Sequence, residues 1–300
     1  MATTTNVTTT YAGQSFSEYI SAVLMSMSSM EHIKLRTNIR YKEVVKKFAD
    51  TVALATENCD FTPTGTVTVT ERIIEPIRQE LARQFCKNDF YNDWDDSVGT
   101  GGWLDGLGNA FEDYIANYYG AALGGALEVK MWQGTTGGGD PFDGFSALFA
   151  ADADVNDVGT PLTLSAANII AETERLIDVV PTNVLDSTDQ APKIYMNGKT
   201  FRFMQRALYA LGIYDAYQQA DVAPMFEGYE IAVCNGIADD KMYMAQPDNL
   251  WAGVGVDDEW RTLKIVDMTD TDASDNVRVR IKYTFAVQHG IGGDIGAYNA

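Results

Sequence analysis

Histidine is almost missing from this chain: His32 and His289 are the only two in 300 residues. Catalytic triads and imidazole metal centres need several such groups brought together, and neither His has a partner set at the level of sequence. Cysteine is scarce too. Cys59, Cys86 and Cys234 are odd in number and far apart, which excludes a disulfide framework and a CxxC metal clip and leaves reduced thiols. Basic charge is in deficit, with 22 Lys and Arg against 42 Asp and Glu and a formal net charge of −20. A protein that lives by gripping phosphates is normally basic, so tight general nucleic-acid binding and a membrane-surface role are both disfavoured. Long apolar runs are lacking as well. Tyr118–Leu127 is ten residues and closes on Glu128, too short for a bilayer span, and the first Lys or Arg is Lys34, so no signal-peptide pattern is expected. What is present is a sizeable apolar fraction, 46%, with 26 Gly and 8 Pro, close to average usage. General disorder, collagen and low complexity are thereby excluded, and an acidic, soluble protein of one large or two ordinary domains is expected.

The chain opens with a Thr-rich arm, six of the first ten residues being Thr. Ser15 and Glu18 then form a capping box, followed by Phe16, Tyr19, Ile20, Val23, Leu24, Met27 and Met30 at helical spacing. Such a helix wants a groove, on its own body or on a neighbour. Charge inverts next: Lys34, Arg36, Arg40, Lys42, Lys46 and Lys47 stand against Glu43 alone. Val52–Thr56 and Thr66–Thr70 have strand composition, so a long hairpin with an irregular tip is expected, and Pro76 is expected to open a short helix through Ile77, Leu81 and Phe85.

Asp105–Trp132 carries the longest helical pattern, through Leu107, Phe111, Ile115, Tyr118, Tyr119, Ala122, Ala126, Val129 and Trp132, with Gly134 as a stop. That helix would run about 40 Å. Thr135–Gly159 is expected to be a Gly- and Asp-rich loop around the apolar Phe142–Phe149. A unit of alternating elements follows: helix Ser165–Val180, strand Lys193–Met196, helix Phe201–Leu211, and short strands around Tyr229–Cys234 and Lys241–Ala245. The stretch Thr135–Pro192 holds ten acids and one base, Arg175, complementing the basic segment. Thr262–Met268 is a strand, and the strict alternation of Val277, Val279, Ile281, Tyr283, Phe285 and Val287 marks a strand with one buried face.

The candidate chemical sites are thin. Asn197-Gly198-Lys199-Thr200 imitates the end of a phosphate loop, but the opening Gly position is Lys193. A tight turn with Thr200 capping a helix is the favoured reading. Asp152, Asp154 and Asn156 resemble the start of a calcium loop, yet Asp157 and Thr163 stand at the Gly and Glu positions, and Asp267, Asp270, Asp272 and Asp275 cluster without the pattern. No catalytic set, resident metal or cofactor is expected.

The order of parts resembles the major capsid proteins of tailed double-stranded-DNA bacteriophages. Phe226–Ile231, Gln246–Leu250, Asp257–Asp267 leading into Val277–Lys282, Val129–Gly134 and Ile194–Asn197 are similar to stretches in these proteins. The resemblance implies an α+β Hong Kong 97-like fold. Its parts would be an N-terminal arm (1–33), an extended hairpin or E-loop (34–75), a P-domain (76–159) with a spine helix at about 105–133, an A-domain (160–248) and return strands (249–300). It further implies a structural, non-enzymatic virion protein, assembled in the host cytoplasm, that self-associates into hexamers and pentamers of an icosahedral head enclosing double-stranded DNA. No sequence-specific DNA contact and no membrane contact would be needed. A separate scaffolding protein (the arm before Phe16 being too short for a scaffolding segment), a portal and decoration proteins are the implied partners. Inter-subunit contacts would fall on Lys34, Arg36, Arg40, Lys42, Lys46 and Lys47 of the E-loop, set against acidic surface on a neighbour, and on Phe16, Tyr19, Ile20, Val23 and Leu24 of the N-terminal helix. The rival functions are a nucleotide-binding enzyme using Gly198, Lys199 and Thr200, and a cation-binding adhesion module.

Overall fold

The computed structural model describes residues 27–50, 67–86, 109–187, 190–212, 224–255, 262–269 and 273–299. Along the chain come β1 (Lys34–Arg36), β2 (Glu43–Asp50), β3 (Val67–Ile74), β4 (Ile77–Cys86), α1 (Asn109–Gln133), α2 (Phe145–Ala151), β5 (Asn156–Asp157), α3 (Ile169–Asp178), α4 (Thr182–Leu185), β6 (Lys193–Met196) and α5 (Gly198–Ala210). The remainder is β7 (Met225–Phe226), β8 (Tyr229–Val233), β9 (Lys241–Ala245), β10 (Leu250–Val254), β11 (Thr262–Asp267), β12 (Asn276–His289) and β13 (Gly296–Asn299). Helices pack on sheets whose pairings are mostly antiparallel, an α+β arrangement.

Three sheets organise these strands. The first is built on β12, with β4 along one edge and β11 and β10 along the other; β1 adds parallel to β10. The second runs β5-β13-β9-β6-β8-β7, and the third is the β2–β3 hairpin, in antiparallel register from Glu43↔Ile74 to Asp50↔Val67. One core lies between α1, α2 and the inward residues of β12, where Val277, Val279, Ile281 and Phe285 meet Leu127, Met131 and Phe142. A second core sits under α3 and α5. The second sheet is covered on both sides: Ile194, Met196, Met242 and Met244 belong to the α3–α5 core, while Tyr195, Tyr243 and Ala245 belong to the α1 core. Burial on both faces explains why β6 and β9 read as near-continuous apolar runs. Trp132, at the end of α1, stacks on Tyr243 (5.7 Å between centroids) and touches Tyr195 and Phe145, so it joins helix and sheet.

Several local expectations change. Pro76 opens no helix; Ile77–Cys86 is strand β4, paired residue for residue with β12 from Ile77↔Phe285 to Cys86↔Asn276. The spacing of Ile77, Leu81 and Phe85 is a multiple of both the strand repeat of two and the helical i, i+4 step, so it could not separate the two, and a ten-residue partner strand decided it. Phe145–Ala151 is helix α2 rather than loop, because Phe145 and Phe149, one turn apart, both enter the core. The helix expected from Ser165 begins at Ile169; the Ser165 amide instead donates to Asn168 Oδ1 (2.7 Å), closing a side-chain turn ahead of it. In α1 the buried stripe is Leu123, Leu127, Met131 and Trp132, whereas Tyr118 and Val129, expected on that face, are exposed, as are Ala122 and Ala126. An apolar, small-residue helix lacks the contrast that fixes which face turns inward. The start expected at Asp105 and the strand expected at Val52–Thr56 lie outside the described residues.

Candidate assembly interface

The hairpin is the feature that stands away from the two cores, and its attachment is built residue by residue. Strand alternation sends Glu43, Val45, Lys47, Thr70, Arg72 and Ile74 to one face and Val44, Lys46, Val69, Glu71 and Ile73 to the other. The first face meets the body. Ile74 is buried with Ile39, Trp251 and Ala286. Gly253 makes the seat: a Cβ there would lie 2.6 Å from Ile74 Cδ1 and 3.1 Å from Ile39 Cδ1, so a larger residue would push the two isoleucines off the sheet. Beside it, Arg72 pairs with Asp152 and donates from Nε to the Gly290 carbonyl (3.3 Å), and Gln288 donates to the Ile73 carbonyl (3.1 Å). The nearly fully buried His289 places Nε2 2.8 Å from the same Asp152 oxygen.

This Arg72–Asp152–His289 group ties hairpin, α2 and β12 together. Burial pushes the His289 ring below its ordinary value and Arg72 adds to that, against the hydrogen bond to Asp152. Burial pulls Asp152 upward, but the His289 hydrogen bond, the Asp154 amide and Arg72 outweigh it, leaving the carboxyl below the usual range. Lys47 on the same hairpin face acts on Asp294, whose carboxyl is raised chiefly by burial. The opposite hairpin face is open: Val44, Val69 and Ile73 are 40%, 48% and 43% exposed, flanking an exposed Lys46–Glu71 pair (3.6 Å).

A second anchor fixes the start of the described chain. Glu128, buried on α1, accepts from Ser28 Oγ (3.0 Å), from the Ser29 amide and hydroxyl, and from the Gly236 amide (3.3 Å), while Trp132 Nε1 donates to Ser29 Oγ (2.7 Å). A Cβ on Gly236 would sit 2.0 Å from the Glu128 carbonyl oxygen, so glycine is required for this approach.

Among the described residues no group of three or more His, Cys, Asp and Glu is placed to hold a metal ion, and no helix is long and apolar enough to cross a membrane. The residues of the calcium-like loop are engaged elsewhere: Asp152 with Arg72 and His289, Asp154 through its amide with Asp152, and Asn156 with the carbonyls of Gly293 and Ile295. At the phosphate-loop imitation, Asn197, rather than Thr200, caps α5; its Oδ1 accepts from the buried Thr200 amide (2.7 Å), and Lys199 is paired with Asp239 (2.6 Å).

No protein-family model matches the sequence, and no curated protein is detectably similar to it. Solved structures match nearly end to end. The capsid of a native GTA particle has a TM-score of 0.64 at 12% identity, over 100% of this chain and 96% of that one. The procapsid of satellite phage P4, which includes the size determination (Sid) protein, gives 0.57 at 10% identity over 93% and 97%. A virus-like particle from Pyrococcus furiosus gives 0.56 at 13% over 94% and 96%. The chain has the Hong Kong 97-like capsid fold.

Within this capsid fold the residues expected to make contacts separate into groups. Lys34 and Arg36 lie not in the hairpin but on β1 in the body sheet, where Lys34 pairs with Asp248 (3.2 Å) and Arg36 pairs with Glu43 and lies over the Trp251 ring (4.3 Å). Arg40 and Lys42 are exposed at the hairpin's foot, Lys42 near the Tyr41 ring. Lys46 is on the open face and Lys47 on the body face. Phe16, Tyr19, Ile20, Val23 and Leu24 lie outside the described residues. Arg72, Asp152, His289 and Glu128 were not singled out for these roles. The signal is absent from sequence, because their partners lie 80, 100 and 137 residues away.

Proposed function

We propose that this chain is a major capsid protein of the tailed double-stranded-DNA phage type, a structural subunit whose copies close into hexamers and pentamers and then an icosahedral head in the virion. The observation that carries the reading is the end-to-end agreement with capsid structures, together with a hairpin that presents an open apolar face instead of folding into its own core. Exposed apolar surface rimmed by charge marks a protein–protein contact. In this reading residues 1–33 are the arm, the hairpin is the E-loop, 76–159 and 249–300 make the P-domain, and 160–248 the A-domain. The inter-subunit contact falls on Val44, Lys46, Val69 and Ile73 with Arg40 and Lys42, and the arm helix through Phe16, Tyr19, Ile20, Val23 and Leu24 seats on its own body or a neighbour. The acidic total suits a shell that encloses DNA without gripping it. Scaffolding, portal and decoration proteins are the implied partners. Size-exclusion chromatography followed by negative-stain microscopy tests the reading: rings or shells support it, and a small monomer at every salt and protein concentration refutes it.

A further inference from the structure

Besides His289 the chain has one histidine, His32, and it sits where the start of the described chain meets the second sheet. The turn Ser28–His32 packs on β8, flanked by two buried apolar residues, Met27 and Ile33, and the Tyr195 hydroxyl donates to the His32 carbonyl (2.8 Å). The His32 side chain is only 18% exposed and meets charge from three other elements. Lys193 of β6 brings its ammonium to 3.3 Å from Nδ1, and Glu230 of β8 brings a carboxylate oxygen to 3.7 Å. Glu128 of α1 and the turn's own Glu31 also act on the ring. Lys193 is at the same time paired with Glu230 (2.7 Å). An ammonium only donates, so Nδ1 must accept, and the neutral ring carries its proton on Nε2.

We infer that His32 is an acid-released latch: protonating its ring opens the turn Ser28–His32 from the second sheet while both cores stay folded. A proton on Nδ1 removes the acceptor that Lys193 uses and sets two cations 3.3 Å apart. The two then compete for one Glu230 oxygen, Oε1. Opening parts ring and ammonium and returns the imidazole to water. Burial and Lys193 hold the closed ring below its ordinary value, against the pull of Glu230, Glu31 and Glu128, so the open form takes up the proton first. An open ring titrates near 6.5, and between pH 7.5 and 5.5 the open form therefore gains up to about tenfold over the closed one. The Glu128 bonds to Ser28 and Ser29 do not involve the ring and keep the latch shut at neutral pH. The latch needs no second copy, so it stands or falls apart from the capsid reading.

Hydrogen exchange read by mass spectrometry on the full chain is the test, with β12 as internal reference. After correction for the intrinsic effect of pH, exchange over residues 28–33 should quicken up to about tenfold from pH 7.5 to 5.5 while β12 holds. His32→Gln keeps an acceptor toward Lys193 and does not titrate, so its corrected rate should stay flat. Lys193→Met should stay flat for the opposite reason: its ring still takes the proton, which then pairs with Glu230 and holds the turn closed. A constant rate in the wild type, an equal rise in His32→Gln, or a rise that survives in Lys193→Met overturns the inference. Quickening that extends to β12 overturns it too, since that is general acid unfolding.

Discussion

Asp152 is the residue on which the hairpin's attachment turns, because one carboxylate serves both Arg72 and His289. Replacing it with Asn keeps the volume and removes the charge, leaving Arg72 facing a neutral amide. A loss of about 1.5–3 kcal/mol is expected, the range for a hydrogen bond to a charged group, read by urea denaturation at pH 7.5. The same group sets an acid response. His289 is held below its ordinary value near 6.5 by burial, so as pH falls past that value the unfolded chain takes up a proton before the folded one does, and stability drops. Asp152, depressed in the fold, adds a term that is present above about 3.8 and is lost as pH falls through its lower folded value. His32, lowered by burial and by Lys193, acts in the same direction as His289. The melting temperature should therefore fall between pH 7.5 and 5.5, and His289→Gln, which keeps a donor toward Asp152 and removes the titration, should flatten that fall. An unchanged pH profile in the variant would remove His289 from the account. Glu128→Ala is a separate test. It strands the Ser28 and Ser29 hydroxyls and two amides, for about 1–3 kcal/mol of destabilisation.

The hairpin is held by a small apolar seat, so its stability should be separable from that of the two cores. Ile74→Ala empties the place over Gly253 and should cost about 2–5 kcal/mol if the hairpin unfolds together with the body. If it detaches first, hydrogen exchange in β2 and β3 will quicken while β12 stays protected, and equal change in both would refute the separation. Lys42→Glu with Lys46→Glu, both on exposed positions, should leave the fold intact and impair assembly; Lys47 is a poorer probe because it faces Asp294. Strands were legible in the sequence where alternation was strict, as along β12, or where an apolar run was covered on both sides, as in β6 and β9. Elements whose spacing suits two periods, such as Ile77–Phe85, were not, since a remote partner decided between them. The basic segment was legible as charge but not as a place: Lys34 and Arg36 turned out to belong to β1, because pairing with β10, more than two hundred residues later, was invisible locally.

For the molecule as a whole, an acidic body and an open-faced hairpin fit the proposed assembly of copies. Surface ion pairs are individually weak and salt-screened, so registry by charge should fade as ionic strength rises while the apolar hairpin contacts persist. Partial salt-induced disassembly, with slower association, is the expected pattern in light scattering between about 0.05 and 1 M salt, where the screening length shrinks several-fold. The most direct measurement is electron microscopy of the purified chain, carried to a reconstruction of whatever particle forms. Rings or closed shells in which each hairpin crosses onto the adjacent copy are the predicted result. A monodisperse single copy under all conditions, or particles whose hairpins touch only their own subunit, would contradict it.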